Sequence, residues 1–186
     1  MPPTATHRTG NPAAAPPGAA SGTAHDRAFL DAMSALASGV CVVTTLAPDG
    51  TPAGFTSTAV MSLSRTPRLL AIAVDRGSRT LRALLAGRKF ALNVLHATGE
   101  EISRRFADPA ADRFAGLAWT PDEEGLPLLT AHSTHILACD LAEELPAGDH
   151  LLLIGAVRRA LPCARDGGAL VHLGRHYHPL GAGAAA

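Results

Sequence analysis

The feature that most constrains this chain is how little separates its last apolar runs. Residues 134–142, 151–161 and 170–177 each read as a strand. Only the turn segments Pro146-Ala147-Gly148-Asp149 and Arg165-Asp166-Gly167-Gly168 mark the breaks between them. A parallel crossover needs about a dozen residues or more, so strands joined this tightly run antiparallel. The front of the chain agrees. Val40-Cys41-Val42-Val43-Thr44-Thr45-Leu46 is rich in β-branched residues, and Ala47-Pro48-Asp49-Gly50-Thr51 is a hairpin turn before a second short strand. Residues 68–74 and 89–95 read as buried strands, while 119–125 read as loop. Two short helices interrupt these strands. One spans 78–86, with Leu81, Leu84 and Leu85 on one face; the other spans 98–116, with Ile102 and Phe106 four apart and a break at Asp108-Pro109. At least six strands against two such helices disfavour a regular βαβ sheet. The expected fold is mainly β within the α+β class, an antiparallel barrel with peripheral helices.

Inside that frame, residues 54–82 carry two groups of small polar residues on either side of one strand. Thr56, Ser57, Thr58, Ser62 and Ser64 form the first group; Arg76, Ser78, Arg79 and Thr80 form the second, on a turn that opens a helix. Seven strand residues between them span roughly 20 Å. Folded back on each other, the groups fit the two ends of one elongated ligand. Hydroxyls, guanidinium groups and the free N–H groups of a helix start at Arg76-Gly77-Ser78-Arg79-Thr80 suit an anion the size of a phosphate. The plainer reading stays open: Ser78 caps the helix, the two arginines are solvated, and 56–64 is a twisted edge strand.

A chain of 186 residues with 47% hydrophobic content suits one domain with a sizeable core. That domain is expected over 25–182, between a disordered Pro/Ala/Gly-rich tail at 1–24 and a disordered end at 183–186. A first helix is expected from Thr23 or Asp26, with Phe29, Leu30, Met33 and Leu36 on a face that lies on the core. Sixteen basic and sixteen acidic residues cancel, which points away from nucleic acid and membrane surfaces as partners. The N-terminal segment lacks the apolar stretch of a signal peptide, and the three widely spaced cysteines form no disulfide or zinc pattern. A reducing cytoplasm is the expected location. No Gly-x-Ser-x-Gly elbow, Walker loop or Gly-x-Gly-x-x-Gly after a strand occurs, so the commonest hydrolase and nucleotide motifs are excluded. His172, His176 and His178 share parity and would face one side of a regular strand. Alternate positions about 7 Å apart, with no carboxylate among them, nevertheless make a poor metal set, and none is expected. His150 differs, standing at a strand start directly after Gly148-Asp149.

Taken together these segments resemble the flavin reductase family of split β-barrel proteins, the short reductase components of two-component flavin-dependent monooxygenases. The likeness spans roughly residues 26–181. It is carried by Gly39-Val40-Cys41-Val42-Val43-Thr44-Thr45, Gly54-Phe55-Thr56-Ser57-Thr58-Ala59-Val60-Met61-Ser62-Leu63-Ser64 and Lys89-Phe90-Ala91-Leu92-Asn93-Val94-Leu95. Asp112-Arg113-Phe114-Ala115-Gly116-Leu117, Gly148-Asp149-His150 with Gly155 and Val157 following, and Gly174-Arg175-His176-Tyr177-His178 complete it.

The resemblance implies a six-stranded antiparallel split barrel of the FMN-binding type, usually a homodimer with flavin sites near the subunit interface. Thr56, Ser57, Thr58 and Ala59 would border the flavin ring and ribityl chain, with Ser62 and Ser64 close by. Ser78, Arg79 and Thr80, with Arg76 and Lys89, would hold the phosphate end. His150 would lie by the nicotinamide pocket as the catalytic residue, and Tyr177 and His178 would belong to the segment that closes it. The implied activity is hydride transfer from NADH, or NADPH, to FMN, or FAD, with reduced flavin passed to a separate monooxygenase. Relatives often carry an acidic residue where this chain has Ala156. Two other readings share the barrel: a non-catalytic flavin- or haem-binding module, and an oxidase like pyridoxamine phosphate oxidase, against which the Gly-Asp-His segment counts.

Overall fold

The computed structural model describes residues 23–163 and 167–181. Of the disordered tail expected at 1–24, residues 1–22 lie outside those residues, as do 183–186 and Arg165-Asp166 of the last turn, while Thr23 and Ala24 cap and open the first helix. In chain order the elements are α1 (Ala24–Ser34), β1 (Ser38–Gly39), β2 (Cys41–Leu46), β3 (Pro52–Ser57), β4 (Val60–Ser64), β5 (Leu69–Asp75), α2 (Arg79–Gly87), β6 (Lys89–Leu95) and α3 (Glu100–Ala107). The short pair β7 (Thr120–Pro121) and β8 (Pro127–Leu128) follows, then β9 (Ser133–Ala147), β10 (His150–Pro162), β11 (Ala169–Leu173) and β12 (His176–Leu180).

Seven strands form one wholly antiparallel sheet in the order β3-β2-β6-β9-β10-β5-β4. Its two edges, β3 and β4, are neighbours in sequence, separated only by Thr58 and Ala59. Three peptide steps reach at most about 11 Å, whereas six interstrand spacings of about 4.8 Å would hold the edges of a flat sheet near 29 Å apart. The sheet therefore curls until its edges approach. Counted as one strand broken at Thr58-Ala59, β3 and β4 make the six strands of the expected split barrel.

The curled sheet is buried on both faces. Val43, Ile72, Phe90, Leu92 and Leu153 fill the inside with alternate residues of four strands. Val40, Val42 and Leu95 face the other way and pack with Phe106 of α3, Leu129 and Leu170. Phe106 is fully buried and meets Phe114 edge to face at 5.1 Å, which fixes α3 and the following loop against β2 and β3. Helix α3 ends at Ala107, so the helical expectation over 98–116 is too long. Asp108-Pro109 breaks it, and residues beyond are turns, because the residue before a proline is pushed out of the helical region.

Two further expectations are corrected. Thr23 caps α1 through a capping box with Asp26, as its sequence suggests. The face of α1 does not lie on the core: Phe29, Leu30, Met33 and Leu36 are 60%, 56%, 46% and 60% exposed. Helical spacing says which face is apolar, not what covers it. α1 is tied to the β11–β12 turn, with Gly174 N to Ser34 O at 2.7 Å and Arg175 to Asp31 at 2.8 Å. Residues 170–177 are likewise not one strand. Gly174 and Arg175, at φ 58° and 65°, form a tight turn, and β12 folds back so that His172 pairs with Tyr177 and His178 with Val171. Paired residues share a face, so His176 and His178 lie on the opposite side from His172, and the shared parity of the three is lost.

Candidate functional site

The carboxyl end of β5 gathers six of the fourteen sequence-predicted site residues. On one side Ala59 O accepts from Ala73 N. On the other, His150 pairs with Asp75, two residues further on. The turn that follows is tied down by one bond to a side chain, Gly77 N to Asp75 Oδ1 at 2.6 Å, and two backbone bonds, Ser78 N to Asp75 O at 3.0 Å and Arg76 N to Asp149 O at 3.0 Å. Arg76 Nε also donates to His150 O at 3.4 Å. Thr58, Ala59, Arg76, Ser78, Arg79 and His150 are thereby placed around one strand end, with Thr58 and Ala59 exposed at the gap between the sheet edges.

His150 stands half exposed, its Nδ1 at 2.7 Å from Asp149 Oδ1. That hydrogen bond, then the ring's charge, holds the Asp149 carboxyl below its ordinary range. The contact fixes one ring nitrogen and leaves Nε2 without a partner among the described residues. Ser78 occupies the N-cap of α2 without a side-chain capping bond, so its hydroxyl is not spent on the helix. Thr80 is spent: it is buried, and its Oγ1 donates to Gly54 O at 3.2 Å, locking α2 onto β3.

Other predicted residues sit elsewhere. Thr56 Oγ1 donates to Ser103 O at 2.6 Å, and Ser103 Oγ donates to Tyr177 OH at 2.9 Å, so both Thr56 and Tyr177 are held by α3. Arg104 lies 5.0 Å over the Tyr177 ring. Ser57 is buried opposite Cys41. Ser62 and Ser64 point into an apolar mouth of the barrel of about 380 Å³, with Val60, Arg68, Leu137 and Val157. β4 runs back along β5, placing Ser62 opposite Leu70, roughly 20 Å along the strand from Arg76. Lys89 is not brought to the Ser78 turn. It starts β6 beyond the far end of α2, about 13 Å from the helix start, and pairs with Glu124 at 2.5 Å, which also binds Arg158 at 2.5 Å. His178 is exposed, its Nε2 at 3.2 Å from Leu173 O. Among the described residues no cluster of three or more His, Cys, Asp or Glu side chains suits a metal.

Sequence reasoning assigned no role to Arg113. It lines a pocket of about 230 Å³ beside Arg79, Thr80 and Gly54 and donates to Gly54 O at 2.5 Å. Its only signal was its place in Asp112-Arg113-Phe114, a loop whose position against β3 is set by Phe106 and Phe114, far off in sequence.

Residues 33–181 match the model of the flavin reductase-like domain. A flavin reductase (NADH) of Kitasatospora aureofaciens is 48% identical over 130 residues, covering 69% of this chain and 68% of that protein. The reductase component of a flavin-dependent trigonelline monooxygenase from Acinetobacter baylyi is 37% identical over 131 residues, 70% of this chain but 42% of its own length. Among solved structures, an NADH:FAD oxidoreductase of Streptomyces globisporus, in complex with NAD and FAD fragments, superposes with a TM-score of 0.78 at 29% identity, covering 87% of this chain and 96% of that one.

Proposed function

Because the chain belongs to the family of flavin reductase-like domains, we propose that it is an NAD(P)H:flavin oxidoreductase that supplies reduced flavin to a separate monooxygenase. The observation that carries this reading is the convergence at the end of β5: an exposed Thr58-Ala59 link on one flank, half-exposed His150 on the other, and the Ser78-Arg79 turn beyond. The donor set suits a flavin nucleotide. Guanidinium groups match its phosphate, and small residues at 57–59 leave room for a flat ring.

When both are bound, the flavin and nicotinamide rings themselves supply the redox chemistry, a hydride passing from nicotinamide C4 to flavin N5. The chain's own part is placement. Thr58 and Ala59 border the ring, and backbone N–H groups at 58–60 stabilise negative charge on its pyrimidine edge. Ser78 and Arg79 hold the phosphate end. His150, oriented by Asp149, offers Nε2 to the nicotinamide amide. Thr56 and Tyr177 act through Ser103, keeping α3 and β12 against the ring side of the site. We propose NADH and FMN as the working pair, with NADPH and FAD as alternatives, a homodimeric assembly, and a cytoplasmic setting. Among the described residues no helix is long and apolar enough to cross a membrane.

Oxidation of NADH in air, followed by the loss of its near-ultraviolet absorbance with and without added FMN, tests the reading. Flavin-dependent oxidation supports it. No oxidation with either nicotinamide and either flavin overturns it and favours a binding module.

A further inference from the structure

The turn 78–80 offers one guanidinium to a phosphate, and the loop 108–116 brings a second. Arg79 and Arg113 line the same pocket of about 230 Å³. Both guanidinium groups are held by carbonyl oxygens: Arg113 by Asp108 O at 3.1 Å and Gly54 O at 2.5 Å, Arg79 by Pro109 O. Neither has an ion pair among the described residues. The two carboxylates of the loop are turned onto its own backbone, Asp108 accepting from Ala110 N at 2.8 Å and Asp112 from Phe114 N at 3.3 Å and Ala115 N at 3.2 Å. Arg105 braces the loop from behind through Asp112 O and Ala115 O. Burial first, and then the Arg79 charge, depress the Arg113 guanidinium, with Asp108 opposing in part. Two like charges are thus held at one cavity, and bound anionic charge would relieve their repulsion.

We infer that Arg113 acts with Arg79 as the seat of the flavin's terminal phosphate, and that this pair makes the protein select a phosphomonoester, FMN, over riboflavin. The inference rests on the flavin reductase reading and adds to it a second residue at the phosphate end and a preference between flavins. A phosphomonoester carries close to two negative charges at neutral pH, with a second ionisation near about pH 6, and matches two fork-shaped donors. The phosphodiesters of a dinucleotide carry one charge each and lack that second ionisation.

The test is an equilibrium titration of flavin fluorescence without nicotinamide, for FMN and riboflavin. It uses the wild type, Arg113→Ala and Arg113→Lys, at about pH 7.5 and about pH 5.5, on either side of the phosphate ionisation. The quantity read is the ratio of riboflavin to FMN dissociation constants. The wild type is expected to favour FMN by about tenfold or more, the size of one or two charge-assisted bonds. Arg113→Ala should cut that ratio about tenfold and Arg113→Lys should keep part of it. In the wild type the ratio should fall on acidification. A ratio unchanged by Arg113→Ala and by pH, with both flavins weakened together, assigns Arg113 to loop structure and overturns the inference. Because no turnover is involved, FMN selection in a protein that oxidises no nicotinamide would refute the reductase reading and leave the phosphate seat standing. Failure of the wild type to bind either flavin would overturn both.

Discussion

Replacing Gly54 by alanine strikes the contact between barrel, α3 and the pocket lined by Arg79 and Arg113 at once. A Cβ there would lie 2.7 Å from Val43 O and 2.9 Å from Phe106 Cε1. Neither neighbour can give way easily. Val43 is buried and paired with Phe55 on one side and Leu92 on the other, and Phe106 is buried against Phe114. Overpacking of this kind costs about 1–3 kcal/mol, and two rigid neighbours place it at about 2–3. Loss of glycine's freedom in the unfolded chain returns about 0.4–1 kcal/mol. The net loss of about 1–2.5 kcal/mol corresponds to a fall of roughly 2–10 °C in Tm for a domain of this size. Gly39, also in a strand and without positive φ, has no atom within 4 Å of a built Cβ, so Gly39→Ala is the matched control. Differential scanning calorimetry of the two variants should separate them clearly. Gly54→Ala should also weaken FMN binding, because the Gly54 carbonyl positions both Thr80 and Arg113. Equal Tm values for the two variants would refute the packing argument.

Three other outcomes are expected. Asn93 is fully buried, donates to Val42 O and Thr44 Oγ1, each at 3.0 Å, and accepts from Leu129 N at 2.9 Å. Asn93→Ala should cost about 2–4 kcal/mol in urea unfolding by stranding those groups, and an unchanged midpoint would sink that view. Cys41 and Cys139 are buried, with thiols pushed up to about 12, while Cys163 is half exposed. A thiol reagent at mildly alkaline pH should therefore label one cysteine quickly in the native protein and the other two only after denaturant; three fast thiols would contradict this. Asp149, lowered below its ordinary 3.8 by the His150 hydrogen bond, binds a proton less readily folded than unfolded. Its stabilising effect is present above that value and is lost as pH falls through the lowered one. His150→Gln should bring the Asp149 carboxyl titration, read by NMR, back toward 3.8 and lower kcat/KM for NADH about tenfold without abolishing turnover, and an unmoved titration would refute the contact.

The barrel was legible in the sequence because its strands advertise themselves locally. β-branched runs and short turns such as Ala47-Pro48-Asp49-Gly50-Thr51 and Gly148-Asp149 place β2, β3 and β10 within a residue or a few of where they stand, while β9 runs on to Ala147, past its expected end at 142. What stayed illegible depends on partners distant in sequence. Nothing near Thr80 says that its hydroxyl is taken by Gly54, and nothing near Arg113 says that its loop folds over β3. Lys89 shows the converse. The family resemblance put it with the phosphate group, but the length of α2 carries it to the opposite end, onto Glu124. The Gly174-Arg175 turn was hidden because alternating His and apolar residues read through it as one strand, and only an arginine in the left-handed region reveals the fold-back. The face of α1 was identified correctly as apolar, yet spacing alone carries no information about what meets it.

The central claim is that this chain reduces flavin and lets it go. It is tested most directly under argon, with a trace of protein, an excess of NADH and a larger excess of FMN, by following the bleaching of the flavin's visible absorbance. The account predicts that many flavins are reduced per chain. Bleaching that stops at one flavin per chain, or never starts, would contradict it.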